Sequence, residues 1–146
     1  KGKVQTDPHR SALMKKVRRS GTAPEEAVAA ILRELGIRTR RNVRGLPGTP
    51  DFANKRRMFA VFVHGCFWHG HTNCHLAKVP ARNREFWTTK LNSNRKRDAA
   101  KARALEALGF RVVTVWQCEL PGVAWRRLQK LNLGVWVGTA ARSSER

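Results

Sequence analysis

Between Asp51 and Cys74 the chain places one carboxylate, three histidines and two cysteines. They lie in a turn, Pro50-Asp51-Phe52, an apolar run from Met58 to Val63, and the block His64-Gly65-Cys66-Phe67-Trp68-His69-Gly70-His71-Thr72-Asn73-Cys74. A carboxylate beside imidazoles is the equipment of metal-assisted hydrolysis. A hard cation such as Mg(II) takes oxygen ligands and keeps several waters. An imidazole, ordinarily titrating near neutrality, can orient or deprotonate the attacking water. Asp51 is the candidate ligand, and either His64 or His69 the candidate base. Plainer roles compete: Asp51 can stabilise its own turn, and His64, ending a strand, can be a hydrogen-bonded structural histidine.

The thiols point to a second chemistry. Cys66, His71 and Cys74 fall in one turn, and Cys118 ends a later apolar run, Phe110 to Trp116. If those runs are neighbouring parallel strands, their ends meet and three thiols join one imidazole. That set suits tetrahedral Zn(II), and a fully protein-ligated zinc is structural. His69 and His75 rival His71 as the nitrogen ligand. The competing reading is three buried free cysteines; an odd count argues against a disulfide framework.

Two aromatic pairs, Phe67-Trp68 and Phe86-Trp87, flank these blocks. A loop pinned by a metal cannot bury both members of the first pair. Apolar wedges entering a duplex unstack base steps, at a cost lowest at mismatches. The alternative is that Trp68 and Trp87 pack beneath the loop. Trp116 reads as core or near-core.

Elements of both periods must position these groups. Thr22, Pro24 and Glu25 make a helix start with a capping-box glutamate. Val28, Ile31, Leu32 and Leu35 give that helix one apolar face, and Gly36 ends it. Ile37 to Asn42 suggests a short, basic, exposed strand. Asp51 to Ala53 and about Arg57 to Val63 suggest two more strands around a turn at Asn54-Lys55. The second lacks polar alternation, as a strand covered on both faces does. A long helix is expected over Arg84 to Leu108, with Leu91, Ala99, Ala102, Leu105 and Leu108 inward. The strand Phe110 to Trp116, a short helix near Val123 to Leu131 and a weak segment, Leu133 to Val137, follow. This order predicts an α/β fold with a mixed central sheet flanked by helices.

Thirty Lys and Arg against ten Asp and Glu leave a net charge of +20 in 146 residues. One domain with one core is expected over 22–146, preceded by a basic arm over 1–21. The excess charge calls for a polyanion, and nucleic acid is the expected one. A membrane partner is not expected, because the chain has no amphipathic membrane helix and no apolar run of spanning length. Without a visible signal peptide, a cytoplasmic, nucleoid-associated setting is expected.

Taken together, the residues resemble the very-short-patch-repair (Vsr) mismatch endonucleases. The resemblance rests on Ser11-Ala12-Leu13-Met14, Glu25, Leu46-Pro47-Gly48-Thr49-Pro50-Asp51-Phe52, His64 to His69, Lys78-Val79-Pro80-Ala81, Glu85-Phe86-Trp87 and Val115-Trp116-Gln117-Cys118-Glu119. It covers nearly the whole chain in order. It implies a restriction-endonuclease-like fold with a structural zinc, and a bacterial enzyme that nicks DNA, with Mg(II), 5′ of the thymine in a T:G mismatch. It also implies roles: Asp51 and Val63 on magnesium, His69 as base, His64 and Glu25 supporting the hydrated metal, and Cys66, His71, Cys74 and Cys118 on zinc. Phe67, Trp68 and Trp87 would wedge into the duplex from the major groove, with Met14 on the minor-groove side. A monomer is expected, with mismatch-repair proteins such as MutL as candidate partners. Two departures stand out: Val63 where the family often has Thr, and a ligand loop one residue longer than usual. Two other readings compete, a zinc-stabilised DNA-binding module without catalysis and a nuclease of the same fold indifferent to mismatches.

Overall fold

The computed structural model describes residues 21–133. Residues 1–20 of the basic arm, with Met14, and residues 134–137 of the weak segment lie outside the described residues. Among the described residues three helices, α1 (Ala23–Glu34), α2 (Arg84–Ala107) and α3 (Gly122–Gln129), surround four strands: β1 (Arg40–Arg41), β2 (Phe52–Asn54), β3 (Phe59–His64) and β4 (Arg111–Trp116). The sheet order is β1-β2-β3-β4, antiparallel except for the parallel β3–β4 pair. The sheet is mixed, as expected. No helix among the described residues is long and apolar enough to cross a membrane.

Alternation along β3 explains its unbroken apolar run. Phe59, Val61 and Val63 join Val28, Ile31 and Leu32 of α1 and Ala124 and Leu128 of α3 in one core. Ala60 and Phe62 join Leu46, Phe110 and Leu105 of α2 in a second core on the opposite face. Successive strand residues point to opposite faces, so a strand with helices on both sides must be apolar throughout. Each fully buried Val, Leu or Phe contributes roughly 1.5–3 kcal/mol. By the same alternation His64, the last residue of β3, falls on the α2 face.

The helix ends follow the sequence closely. The Thr22 hydroxyl accepts from Glu25 N at 3.4 Å. The Glu25 carboxylate reaches past the cap residue to accept from Gly21 N at 2.8 Å. At the other end Ile37 N donates to Leu32 O and Gly36 N to Arg33 O, with Gly36 at φ +70°. This is the double bond of a Schellman stop, and it tucks Ile37 into the core.

Two expectations need correction. Ile37 to Asn42 is not an exposed strand: only Arg40 and Arg41 pair with β2, and Ile37 is buried. The inner side of α2 is narrower than its sequence suggests. Leu91 and Leu105 are buried, but Ala99 is exposed and Leu108, the C-cap, is 56% exposed. Much of the face turned to the sheet end is polar instead, because it serves the site rather than the core. Trp116, expected in or near the core, is half-buried and lies between two clusters of ligand-type side chains, described next.

Candidate active site and metal centre

The Asp51 turn is held from two sides. Val63 N donates to Asp51 Oδ2 at 2.7 Å, so the carboxylate is tied to the end of β3. Gly48, at φ +74°, lies against α2 so closely that an added Cβ would come within 2.7 Å of Lys101. A side chain there would push the turn off the helix. Asp51 then shares a cavity of about 670 Å³ with Glu25, His64, His69, Asp98 and Lys101. Carboxylates and imidazoles more than ten residues apart are thus brought to the end of the parallel strand pair.

Burial, with the nearby Glu25 charge, pushes the Asp51 carboxyl up from 3.8 to about 6, against the stabilising Val63 N–H. A half-desolvated carboxylate beside a second one is a site that a cation would relieve. Burial likewise lowers His64 to about 4, helped by the neighbouring His69, so His64 is neutral at pH 7. Its Nδ1 is buried and has no partner in the protein. An orphaned acceptor or donor at such a depth is costly unless water or a hydrated ion reaches it.

His69 stacks on His64 with ring centroids 3.8 Å apart and 3° between planes. Its Nδ1 lies 2.7 Å from Asp98 Oδ2. With Asp98 accepting from Nδ1–H, Nε2 is left as the acceptor. The ligand-type atoms of His64, His69 and Asp98 lie within 4.8 Å of one another. The Asp98 carboxyl is held low against its own burial by His69, then by the charges of His69, His64 and Lys101.

Asp98 was not among the residues anticipated from sequence. A signal was present: it is the one carboxylate between Glu85 and Glu106 in a strongly basic helix. It also lies four residues after Asn94, whose side-chain amide donates to Trp68 O at 2.8 Å. Arg95 donates to Gly70 O at 3.3 Å and closes over Gly70, where φ is +61° and an added Cβ would meet the arginine stem at 3.3 Å. One stretch of α2 therefore fixes the whole turn between His64 and His71.

Beside this site, the ligand atoms of Cys66, His71, Cys74 and Cys118 lie within 4.8 Å of one another. His71 is the nitrogen member; His69 belongs to the cavity above and His75 begins an exposed 3-10 turn. Cys118 N donates to Cys66 Sγ at 3.4 Å, and Cys118 Sγ lies 3.4 Å from His71 Nδ1. Desolvation and the two neighbouring thiols push the Cys118 thiol up to about 12. Three sulfurs and one nitrogen at this spacing, with no disulfide among them, fit the donor set and closed geometry of structural zinc. The parallel β3–β4 pair is what unites Cys66 with Cys118, as expected from sequence. Arg127 supports the second strand end, donating to Thr114 O at 2.5 Å and to the Glu119 carboxylate at 2.9 Å. Glu119 in turn accepts from Trp116 N at 2.8 Å.

Trp116 joins the two clusters. Its ring stacks on His71 at 4.1 Å and 7° and meets His64 edge-on at 5.0 Å. Phe67, Trp68 and Trp87 form a third group, with centroids 5.2–6.0 Å apart, joined by Phe86 at 5.3 Å from Trp87. The Lys90 ammonium lies 5.7–5.9 Å from the Trp87, Phe86 and Trp68 rings. Phe67, Trp68 and Trp87 are half-buried and Phe86 is exposed, so the group is a surface knot rather than core.

Comparison with known proteins gives the family. Residues 3–76 match the family model described as DNA mismatch endonuclease Vsr. The DNA mismatch endonuclease Vsr of Escherichia coli strain K12 is 42% identical over 113 residues, covering 77% of this chain and 72% of that protein. This chain belongs to the Vsr family. It is a DNA endonuclease. Other relatives are described as nicking enzymes. The type II nicking enzyme V.XorIIP of Xanthomonas oryzae pv. oryzae is 47% identical over 111 residues, 76% of this chain and 81% of the relative. The type II nicking enzyme V.NmeAIP of Neisseria meningitidis is 39% identical over 129 residues, 88% and 91% of the two chains.

Proposed function

We propose that this Vsr protein nicks one strand of duplex DNA 5′ of the thymine in a T:G mismatch, by Mg(II)-dependent hydrolysis. The observation that carries the reading is the meeting of Asp51 and Glu25 with the His69–Asp98 pair in one cavity, beside the aromatic knot. Mg(II), when bound, neutralises phosphate charge and acidifies a coordinated water. Asp51, through the oxygen not committed to Val63 N, and the Val63 carbonyl would hold it. A backbone carbonyl does not depend on the side chain, which accounts for Val63 in place of Thr. Glu25 and neutral His64 would hydrogen-bond the surrounding waters. His69 Nε2 takes the proton of the attacking water while Asp98 holds the ring and stabilises its positive charge. The water oxygen bonds to phosphorus, the P–O3′ bond breaks and the departing O3′ takes a proton from surrounding water, which gives the 3′-hydroxyl that repair synthesis needs.

Phe67, Trp68 and Trp87 would enter the stack at the mismatch, where unstacking costs least. Met14 of the arm would act from the other groove. Cys66, His71, Cys74 and Cys118 would hold zinc as a structural support. The layering of α1 and α3 on one face and α2 on the other supports a restriction-endonuclease-like fold. An asymmetric lesion suits a monomer. Mismatch-repair proteins such as MutL are candidate partners, and a cytoplasmic, nucleoid-associated setting fits a bacterial DNA repair enzyme.

The test is nicking of short duplexes that differ only in T:G, T:A or C:G at the second position of CCWGG, with the flanking bases also randomised. A single nick on the thymine strand of the mismatch is expected. Equal cutting of all three would leave a nuclease without mismatch reading. Binding without cutting of any sequence would leave a DNA-binding module. Trp68→Ala should lower T:G nicking by about 1–3 kcal/mol of stacking, roughly 5- to 150-fold, and narrow the difference between T:G and T:A. Asp98→Ala, which removes the partner of His69 Nδ1, should lower kcat about 10²-fold with little change in KM. A change in KM alone would show that Asp98 positions substrate rather than the base.

A further inference from the structure

Lys101 brings to the Asp51 cavity a charge that the roles assigned above do not use. Among the described residues that line the cavity it is the one Lys or Arg, set among the carboxylates of Glu25, Asp51 and Asp98. It makes no ion pair with any of them, so its ammonium is not committed to a carboxylate of the protein. The stem is fixed against the Asp51 turn. A Cβ added to Gly48 would come within 2.7 Å of Lys101 Cβ and Cγ and 2.9 Å of Cδ, so the alkyl chain lies flat on the glycine three residues before Asp51. On α2, Asp98 precedes Lys101 by one turn, and residues three apart share a helix face. The lysine is half-buried there. Its charge reaches the histidine side of the cavity as well. It adds to the burial and the His69 charge that lower His64, and, against the burial of Asp98, it joins His69 in holding that carboxyl low.

We propose, on the hydrolytic reading above, that Lys101 is a further catalytic residue, whose ammonium meets a nonbridging oxygen of the phosphate that is cut. Charge balance argues for it. Three ionised carboxylates and one divalent cation sum to −1, which repels a phosphodiester; Lys101 brings the cavity to zero. The charge demand then grows during the reaction. As the water oxygen bonds to phosphorus and its proton passes to His69, the phosphate group goes from one negative charge to two. A cation already in place beside that oxygen gains more in the transition state than in the bound substrate, and such an interaction raises kcat. A cation that only grips the DNA backbone binds both states equally and changes KM alone. The chemistry of the side chain fits, because a lysine meets phosphate as a point charge. The placement fits too: with its stem laid on the Gly48 turn and its base on the Asp98 face of α2, the ammonium has little freedom left to lose when substrate arrives.

The experiment uses the full chain and two variants, K101M and K101Q, whose side chains keep an alkyl stem on Gly48 and lose the charge. Each protein is titrated, in EDTA, with a fluorescent T:G duplex and with the same duplex carrying a neutral methylphosphonate in place of the phosphate 5′ of the thymine. Neutralising that phosphate should cost the native chain about five- to tenfold more affinity than it costs either variant, a coupling expected only where the ammonium and that phosphate meet. In Mg(II), on the unmodified duplex, both variants should lower kcat about 10²-fold, well beyond any change in KM. An equal effect of the methylphosphonate on all three proteins, or a native kcat in the variants, would overturn the proposal. The binding arm needs neither metal nor hydrolysis. A native chain that nicks nothing would therefore overturn the hydrolytic reading while the coupling is still read, and a native chain that nicks no faster than K101M would remove Lys101 alone.

Discussion

Asp51→Asn is expected to abolish nicking and, in metal-free buffer at neutral pH, to make the protein harder to unfold. The two effects have one cause. Burial and the Glu25 charge raise the Asp51 carboxyl to about 6 from 3.8, a difference of about 2 units, or roughly 3 kcal/mol. Ionised Asp51 is thus a cost to the folded state, and a neutral amide of the same shape removes that cost while its oxygen still accepts from Val63 N. The pH dependence follows by linkage. Between about 4 and 6 the folded protein holds the proton that the unfolded chain has released, so native stability falls as pH rises through this window. Above about 6 the contribution is flat. In Asp51→Asn that slope should vanish. Urea titrations at pH 4.5, 5.5 and 7 would measure it, and an unchanged slope would mean that Asp51 is not desolvated. Nicking should fall by 10³-fold or more, because an amide oxygen lacks the charge that holds a hard cation. Mg(II) should also raise the Tm of the native protein and leave that of the variant unchanged.

Cys66→Ser is expected to have the largest effect on folding. Cys66 is fully buried and accepts from Cys118 N, so it joins the ends of β3 and β4. The four-ligand cluster fits zinc, and the binding free energy of structural zinc, on the order of 10 kcal/mol at neutral pH, appears as folding free energy. Purified protein should carry one zinc per chain, measured by elemental analysis. Cys66→Ser should lose the metal and much of its cooperative unfolding transition. Cys74→Ser, at a half-buried position, should lose zinc affinity with a smaller direct packing loss. If both variants keep the native Tm without metal, the cluster is a set of free thiols. Nicking should fall with the metal even though zinc is not part of the hydrolysis. The Cys66 turn also carries Phe67, Trp68 and His69, and Trp116 lies against both His71 and His64.

The sequence by itself determined the local features. The Thr22 cap and Gly36 stop of α1, the uninterrupted apolar run of β3 and the His/Cys block each follow from a few adjacent residues, whose conformational preferences do not depend on distant partners. The meeting of Cys66 and Cys118 was legible too, because two apolar runs leading into cysteines bring them together as parallel neighbours. Tertiary structure decided which histidine does what. His64, His69 and His71 all lie in one short turn, and only packing against α2 and β4 sends His69 to Asp98 and His71 to Cys118. It also decided the role of α2, whose sequence suggested a broader apolar face. Leu108 is exposed there because the chain turns away at Gly109, while Asn94, Arg95 and Asp98 are spent on the site. Polar side chains directed at a site leave no hydrophobic period to read, and a hydrogen bond between residues 69 and 98 has no signature in either segment alone. The charge of +20 announced a polyanion. Only the packing of α2 against the Gly48 turn showed which cation stands among the carboxylates, because that contact joins residues 48 and 101.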